Sequence, residues 1–465
     1  MSTATLTPTS IETRNPSTGA VISTHQVSSQ ADVNSRLDTA ARAYTAWSAQ
    51  SFAQRADALR RVAAFLRREK TRLATLMTTE MGKPIVESEA EVEKCAWCCE
   101  YYADNAHKHL ADEVVETNAT RSYVAFRPLG IVLGIMPWNF PLFQVIRFAA
   151  PTLAAGNVAV LKHAGNVTDC GLELEHTFRA CGLPEGVFTT LVVPGRAMDS
   201  IIADARIAAV SFTGSEAAGS SVAAAAAKAL KKSVLELGGS DAYIVLADAD
   251  VELAAQTAVR ARFQNTGQSC IAAKRFIAEA PVYDAFLSSF VRRAGELVVG
   301  DPLDRRTQVG PLAREDLRDD IERQVRASVA MGAKVALGGK RLDRPGAFYA
   351  PTILADVTPD MPMFKEETFG PAAAVVRARD ADHAVNLANA STYGLGGNLW
   401  TRDVAKAESI AARLQSGAVF INGMTASDPR LPFGGVKHSG YGRELSHFGI
   451  REFVNVQTVW IGPAQ

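Results

Sequence analysis

The tetrapeptide Gly267-Gln268-Ser269-Cys270 sets a cysteine in a polar, glycine-containing turn directly after a helical run. Backbone N–H groups converging on such a turn lower a thiol's pKa and enrich the nucleophilic thiolate. The competing reading is a small core residue, since free cysteine is among the most buried side chains. Glu236 lies in the apolar run Ser233-Val234-Leu235-Glu236-Leu237, which ends in Gly238-Gly239. Burial there would lift its carboxyl toward neutrality and suit it to general-base work. Otherwise it faces solvent at a strand end or pairs with Lys231 or Lys232. Asn139, between Trp138 and Phe140-Pro141, carries an amide that is either satisfied by the backbone or held ready to donate to a developing oxyanion.

Charged and glycine-rich positions add to these. Arg147 sits in an otherwise apolar helical stretch and needs an anion: a substrate carboxylate held bidentately, or a structural Asp or Glu. Phe212-Thr213-Gly214-Ser215 joins a strand to a helix and would offer N–H groups and a helix dipole to a phosphate. A plain tight turn has the same composition; this is not G-x-G-x-x-G, and no Walker sequence occurs. Lys162 directly follows Val158-Ala159-Val160-Leu161, at the carboxyl edge of a strand where nucleotides bind in open α/β sheets, or it is a solvated loop charge. Cys95, Cys98 and Cys99 cluster as CAWCC in a helical stretch with His107 and His109 further along. Metal sites usually need two such pairs, so packing is the expectation for them and no metal is expected.

The elements that must position these residues follow from periodicity. Residues 30–77 and 84–109 read as amphipathic helix. From about 121 the pattern changes to short apolar runs alternating with helical stretches. Strands are expected at 131–136, 158–161, 189–193, 208–212 and 233–237, with helices at 142–155, 168–181, 196–203 and 216–230. After Gly238-Gly239, a plausible domain boundary, the alternation resumes with strands at 243–246, 274–279 and 371–377 and helices at 250–263 and 380–389. That rhythm implies an α/β fold with parallel sheets covered on both faces. The last run, 453–460, alternates as a lone strand that needs a partner sheet, such as another subunit's.

The 465-residue length suits two or three domains, and 21% charged residues excludes a disordered chain. With 49 basic against 49 acidic groups, the chain lacks the footprint of a nucleic-acid or anionic-membrane binder. Charge is absent between Arg127 and Arg147, but Pro128, Pro137 and Pro141 interrupt the stretch, so a buried strand, turn and helix is expected instead of a membrane span. MSTATLTPTS has neither basic patch nor apolar core, so no export signal is expected and the cytoplasm is the expected location.

Taken together the chain resembles the aldehyde dehydrogenase superfamily over nearly its whole length. The resemblance runs from Asn15-Pro16-Ser17-Thr18-Gly19 through PWNFP (137–141), Lys162, FTGS (212–215), ELGG (236–239), GQSC (267–270), EETFGP (366–371) and FGGVKHSGYGRE (433–444). LKHAGN, VLELGGSD, RFQNTGQSC, ASDPRLPFGG and GRELSHFG look most like the short bacterial succinate-semialdehyde dehydrogenases that use NAD(P). The resemblance implies a Rossmann-like cofactor domain (1–107 and 127–238), an α/β catalytic domain (239–446) and a small β oligomerisation element (108–126 and 447–465). It also implies a homodimer or homotetramer whose terminal strand completes a neighbour's sheet.

The same resemblance assigns roles. Cys270 attacks a small-molecule aldehyde, Asn139 and the Cys270 N–H hold the oxyanion, and Glu236 activates the water that hydrolyses the thioester. Trp138, Lys162, Gly165, Gly214, Ser215, Glu367 and Phe369 fall on cofactor-binding positions, Lys162 and Glu367 at the riboses and Phe369 near the nicotinamide. Gly165 stands where NAD-preferring members carry glutamate, which implies that NADP is accepted as well as NAD, with contact to its 2′-phosphate left to His163 or Lys162. Arg147 matches an arginine that binds a succinate-semialdehyde carboxylate, and Ser427 a serine beside it. A second family arginine is replaced by Gln264, leaving Arg430 or Arg262 to compensate. The expected reaction is NAD(P)-dependent oxidation of succinate semialdehyde to succinate; the alternative is broad activity on neutral or other carboxylated aldehydes.

Overall fold

The computed structural model describes residues 9–463; residues 1–8, on which the expectation of no export signal chiefly rests, lie outside that range. A hairpin of β1 (Ser10–Arg14) and β2 (Val21–Gln26) opens the chain. The apolar periodicity over 30–77 resolves into three helices: α1 (Gln30–Ser48), α2 (Phe52–Arg68) and α3 (Lys70–Met81). The break after α1 is local chemistry. The Ser51 side chain accepts from Gln54 N–H while the Gln54 side chain accepts from Ser51 N–H, a capping box that starts a new helix. α4 (Ile85–His109) carries Cys95, Cys98 and Cys99, all fully buried, so the cysteine cluster packs in the core.

β3 (Glu113–Val114) and β4 (Arg121–Pro128) precede the βα alternation. That alternation runs β5 (Ile131–Met136), α5 (Phe143–Ala154), β6 (Val158–His163), α6 (Thr168–Ala180), β7 (Phe188–Thr190), α7 (Met198–Ala203), β8 (Ile207–Thr213), α8 (Glu216–Lys228) and β9 (Lys232–Glu236). The uncharged stretch before Arg147 is thus a buried strand, a turn and a helix, and no helix among the described residues is long and apolar enough to cross a membrane. These strands lie parallel in the order β9-β8-β5-β6-β7. Because β6 and β8 flank β5, winding reverses there, and the carboxyl ends of all three strands open onto one crevice. Trp138, Lys162, Gly165, Gly214 and Ser215 are carried by those ends.

Gly238-Gly239 lies where the chain leaves this sheet for a second one. That sheet is built from β10 (Asp241–Val245), α9 (Val251–Phe263), β11 (Ala273–Glu279), α10 (Ala280–Gly295), α11 (Glu315–Ala330), β12 (Lys334–Leu337), β13 (Thr352–Ala355), α12 (Pro362–Lys365), β14 (Ala372–Ala378), α13 (Ala381–Asn389), β15 (Tyr393–Gly394), β16 (Gly396–Trp400), α14 (Val404–Ala411) and β17 (Ala418–Ile421). Its order is β12-β13-β14-β11-β10-β16-β17, antiparallel only at β12, with β15 outside it. Residues alternate between two buried faces along β10: Tyr243 and Val245 join one core, Ile244 and Leu246 the other.

The chain then returns to the first sheet. β18 (Val436–Lys437) pairs with β15, and β19 (Gly440–Tyr441) pairs antiparallel with β9, setting Gly440 opposite Glu236. After α15 (Ser446–Glu452), β20 (Val454–Ile461) pairs with β4 along its whole length, from Val454 opposite Pro128 to Ile461 opposite Arg121. The terminal strand therefore finds one partner within its own chain, and its other edge ends the three-stranded sheet. Residues 113–128, which show no clear strand periodicity, supply its ladder within the same chain.

Asn157 fastens this returning segment to the first sheet. Fully buried, it accepts from the N–H groups of Leu129 (2.7 Å) and Gly130 (2.9 Å) and donates to Phe453 O (2.8 Å). Asn157→Ala strands three backbone groups, and a loss of about 2–4 kcal/mol is expected from their desolvation. Thermal and urea unfolding check it, with a midpoint equal to that of the parent counting against this role.

Candidate active site

The turn that carries Cys270 begins where α9 ends, and it is built against ordinary backbone preference. Asn265, Thr266 and Gly267 are left-handed in succession, with φ of 53°, 55° and 74°. Gly267 is obligatory, since a Cβ there would lie 2.2 Å from Gly370 O. Arg262 holds the turn. Fully buried, it donates to the carbonyls of Gly267 (2.7 Å), Gly370 (2.6 Å), Ala273 (3.0 Å) and Thr368 (3.2 Å). Asn139 Nδ2 and Asn265 Nδ2 both donate to Gln268 O at 3.0 Å, Glu87 accepts from Asn265 N–H at 2.6 Å, and Lys274 Nζ donates to Ser269 O and Cys270 O.

The turn thus meets its donors through carbonyl oxygens, and the electrostatics differ from the expected activated thiol. Burial pushes the Cys270 thiol up to about 12. The positive charges of Lys274 and Arg147 work against this rise, while those of Glu236 and Glu367 add to it. The thiol is neutral at pH 7 and needs a base. Glu236, at the end of β9, is 1% exposed, and neither carboxylate oxygen has a hydrogen-bond partner. Burial first, and then the negative charge of Glu444, raises its pKa above the usual carboxylate range. The lysines considered as partners lie elsewhere: Lys231 donates to Ile202 O and Asp204 O, and Lys232 pairs with Glu452 at 3.0 Å.

Arg147 has its anion within the chain. Its Nε lies 2.6 Å from Glu444 Oε2, both side chains are buried, and the guanidinium stacks 4.6 Å from the Phe433 ring centre. The expected free carboxylate clamp is therefore already neutralised by Glu444. Arg147 still lines a cavity of about 770 Å³ together with Cys270, Gln264, Ser427, Phe143 and Lys94. Two candidates for compensation do not reach a substrate there. Arg430 is exposed and forked onto Asp428 at 2.9 and 2.6 Å outside the cavity lining, and Arg262 is occupied by its carbonyls. Ser427 Oγ accepts from Lys94 Nζ at 2.6 Å, a lysine for which no sequence motif argued. Glu444 ends the FGGVKHSGYGRE run, and the family resemblance assigns it no role.

At the crevice, Trp138 and Phe369 meet edge to face with ring centres 5.7 Å apart. Ser215 caps α8 by accepting from Ala218 N–H at 3.4 Å. Glu367 accepts from Gly239 N–H at 2.9 Å, and a Cβ at Gly238 would come within 2.5 Å of its other oxygen, so the double glycine makes room for that carboxylate. Lys162 is half-buried and forms no ion pair among the described residues, and burial lowers its pKa. An unpaired cation at the edge of the parallel strands fits a phosphorylated dinucleotide. His163 does not serve as a phosphate contact. Its ring nitrogens lie 3.2 Å from Met136 O and 2.8 Å from Pro141 O, and burial lowers its pKa to about 4.

Comparison with known proteins accounts for this combination. Residues 3–459 match the aldehyde dehydrogenase family. The chain belongs to that family. It is 50% identical over 451 residues to the probable succinate-semialdehyde dehydrogenase (NADP+) of Synechocystis sp., covering 97% of this chain and 99% of the relative. It is 50% identical over 454 residues to succinate-semialdehyde dehydrogenase (NADP+) 1 of Mycobacterium tuberculosis, with 97% and 99% covered. Among solved structures, the succinic semialdehyde dehydrogenase of Streptococcus pyogenes in complex with NADP+ superposes with a TM-score of 0.95 at 36% identity, over 97% of this chain and 100% of that one. The chain is accordingly an oxidoreductase with the mixed α/β aldehyde dehydrogenase fold.

The raised thiol pKa has a direct readout. In the cofactor-free enzyme, alkylation of Cys270 by iodoacetamide is expected to be slow at pH 7 and to climb steadily to pH 10, because the thiolate fraction is what reacts. Mass spectrometry of the Cys270 peptide follows it; a rate already on its plateau below pH 7 would contradict the geometry.

Proposed function

We propose that this enzyme oxidises succinate semialdehyde to succinate with NADP, and accepts NAD. The observation that carries the reading is the single cavity that joins the Cys270 thiol to a lining with three cations, Arg147, Lys94 and the exposed Arg260, and the Ser427 hydroxyl. The names and full-length similarity of the relatives support it. Glu236 in its carboxylate form takes the Cys270 proton, and the sulfur adds to the aldehyde carbon. Asn139 has one amide N–H on Gln268 O, which leaves the other, with the Cys270 N–H, for the oxyanion. A bound nicotinamide cofactor supplies the hydride acceptor, and Trp138, Lys162, Gly165, Gly214, Ser215, Glu367 and Phe369 are the residues that would hold it. Glu236, once it has released that first proton to solvent, takes a proton from the water that cleaves the Cys270 thioester and passes it to the leaving sulfur, so that the acid departs and the thiol is restored.

The division into 1–107 with 127–238, 239–446, and 108–126 with 447–465 is supported by the three largest sheets, with only β19 crossing from the second unit into the first sheet. Assembly as a homodimer or homotetramer is supported by the small third sheet, one face of which exposes both Val456 and Trp460. A cytoplasmic location is supported by six free cysteines.

A second reading, broad activity on neutral aldehydes, is favoured by the neutralised Arg147 and by Gln264 in place of an arginine. Steady-state kinetics with succinate semialdehyde, glutarate semialdehyde, butanal and benzaldehyde separates the two. Succinate semialdehyde is expected to lead butanal in kcat/KM by about tenfold or more, the size of one charge-assisted contact. Equal efficiencies would establish the second reading.

Cofactor choice has its own test. A Gly165→Glu carboxylate would repel a 2′-phosphate, so kcat/KM with NADP is expected to fall about tenfold or more while that with NAD is kept. The new Cβ would lie 3.3 Å from Ile11 Cγ2, so Gly165→Ala controls for crowding. Equal losses with both cofactors would refute the argument from charge.

A further inference from the structure

The cavity of Cys270 contains a cation for which the aldehyde chemistry has no use. Lys94 enters it from the middle of α4, with Nζ 2.6 Å from Ser427 Oγ and 4.5 Å from the centre of the Phe143 ring. Among the described residues Lys94 forms no ion pair, although acids surround it. Glu91 is tied to Lys83 and accepts from the N–H groups of Leu142 and Phe143 at 2.9 Å. Asp428 is forked by Arg430, and Glu444 is paired with Arg147. The thiols of Cys95 and Cys98, on the same helix, are buried and raised, hence neutral.

An ammonium has three N–H donors, and a single hydroxyl on Lys94 leaves two of them facing the cavity. Holding a half-buried cation without a carboxylate is unfavourable, and burial, followed by the charge of Arg147, lowers its pKa to about 8. A bound anion would reverse that cost. The other polar groups on this wall are less suited. Arg147 is matched one-to-one by Glu444, Arg260 is exposed and its charge solvated, and Gln264 brings an uncharged amide. The Phe143 face and the Ser427 hydroxyl fix where the ammonium points, which gives the site a direction as well as a charge.

We propose that Lys94, oriented by Ser427, binds the carboxylate at the far end of the substrate and is the residue that selects ω-carboxylated over neutral aldehydes. This rests on succinate semialdehyde being the substrate, and the two ideas fail differently.

The test compares Lys94→Met with the parent enzyme, both normalised to titratable Cys270. The ratio of kcat/KM for succinate semialdehyde to that for butanal is expected to fall about ten- to a hundredfold, mostly through KM, as for loss of a charged hydrogen bond. Lys94→Arg is expected to recover part of the ratio, and Ser427→Ala to lower it less than Lys94→Met does. Succinate, the carboxylate product, supplies a readout that needs no turnover: its affinity by calorimetry is expected to weaken by a similar factor in Lys94→Met. A parent enzyme that prefers succinate semialdehyde and a Lys94→Met enzyme with the same ratio would overturn the proposal. Should the parent show no such preference, the substrate reading fails, and succinate binding alone decides Lys94: unchanged affinity sinks it and weakened affinity keeps it as an anion site. Lys94→Arg, which retains charge and bulk, serves as the folded comparison if the methionine variant is unstable.

Discussion

A buried arginine with no carboxylate partner underlies the site. Arg262 has only carbonyl oxygens around it, and those carbonyls belong to segments that must meet: the end of the nucleophile turn, the start of β11, and the Thr368–Gly370 stretch beside Glu367 and Phe369. A guanidinium out of water needs partners for its donors, and although Nε has none, the two terminal nitrogens draw the three segments together around it. The left-handed run at Asn265, Thr266 and Gly267 is the backbone conformation this convergence requires. Burial lowers the pKa of Arg262 to about 9, yet it remains charged near neutrality. The position of Cys270 is thus set by a charge that never touches substrate.

Around that fixed turn the site rests in its uncharged form. Burial raises the Cys270 thiol, and burial with Glu444 raises the Glu236 carboxyl, so near neutral pH both tend to keep their protons. Glu444 in turn sits against Arg147. One guanidinium therefore stabilises the negative charge beside Glu236 and cannot give its full charge to a substrate anion. This division of labour is why the unpaired Lys94 matters to selectivity, and why a neutral chain with equal numbers of acids and bases can still distinguish a charged aldehyde.

Much of the architecture was legible in the sequence, for identifiable reasons. Strands buried on both faces read as uninterrupted apolar runs, so β5, β6, β8, β9 and β10 fall within a residue or two of expectation. Helices α1–α3 read as one, because their shared periodicity hides the break at the capping residue Ser51 and the one at Glu69, which has no side-chain cap. The short strands β3, β15, β18 and β19 carry too few residues for a period. At the site, Cys270, Glu236 and Asn139 stood out because each is a polar residue in an unusual local setting. The partners of charged groups did not. Nothing local distinguishes Arg147, which lines the cavity, from Arg262, which is locked among carbonyls, or reveals that Glu444 and Lys94 flank them. Those pairings depend on contacts between segments hundreds of residues apart, and linear spacing holds no record of them.

The late return of the chain to its first sheet has a consequence for how the enzyme comes into being. Glu236 receives its edge neighbour, Gly440, and Arg147 its counter-charge, Glu444, from residues translated hundreds of positions later. Tyr102, on α4 beside the cavity helix face, likewise donates to Ser446 O at 3.2 Å. Domains form as they leave the ribosome, N-terminal parts first. A growing chain will therefore carry its thiol, its cavity helix and its first sheet for some time before base and arginine are set. Assembly of the site waits on the segment from Gly440 to Ser446, and a chain terminated ahead of it lacks the neighbours of both Glu236 and Arg147.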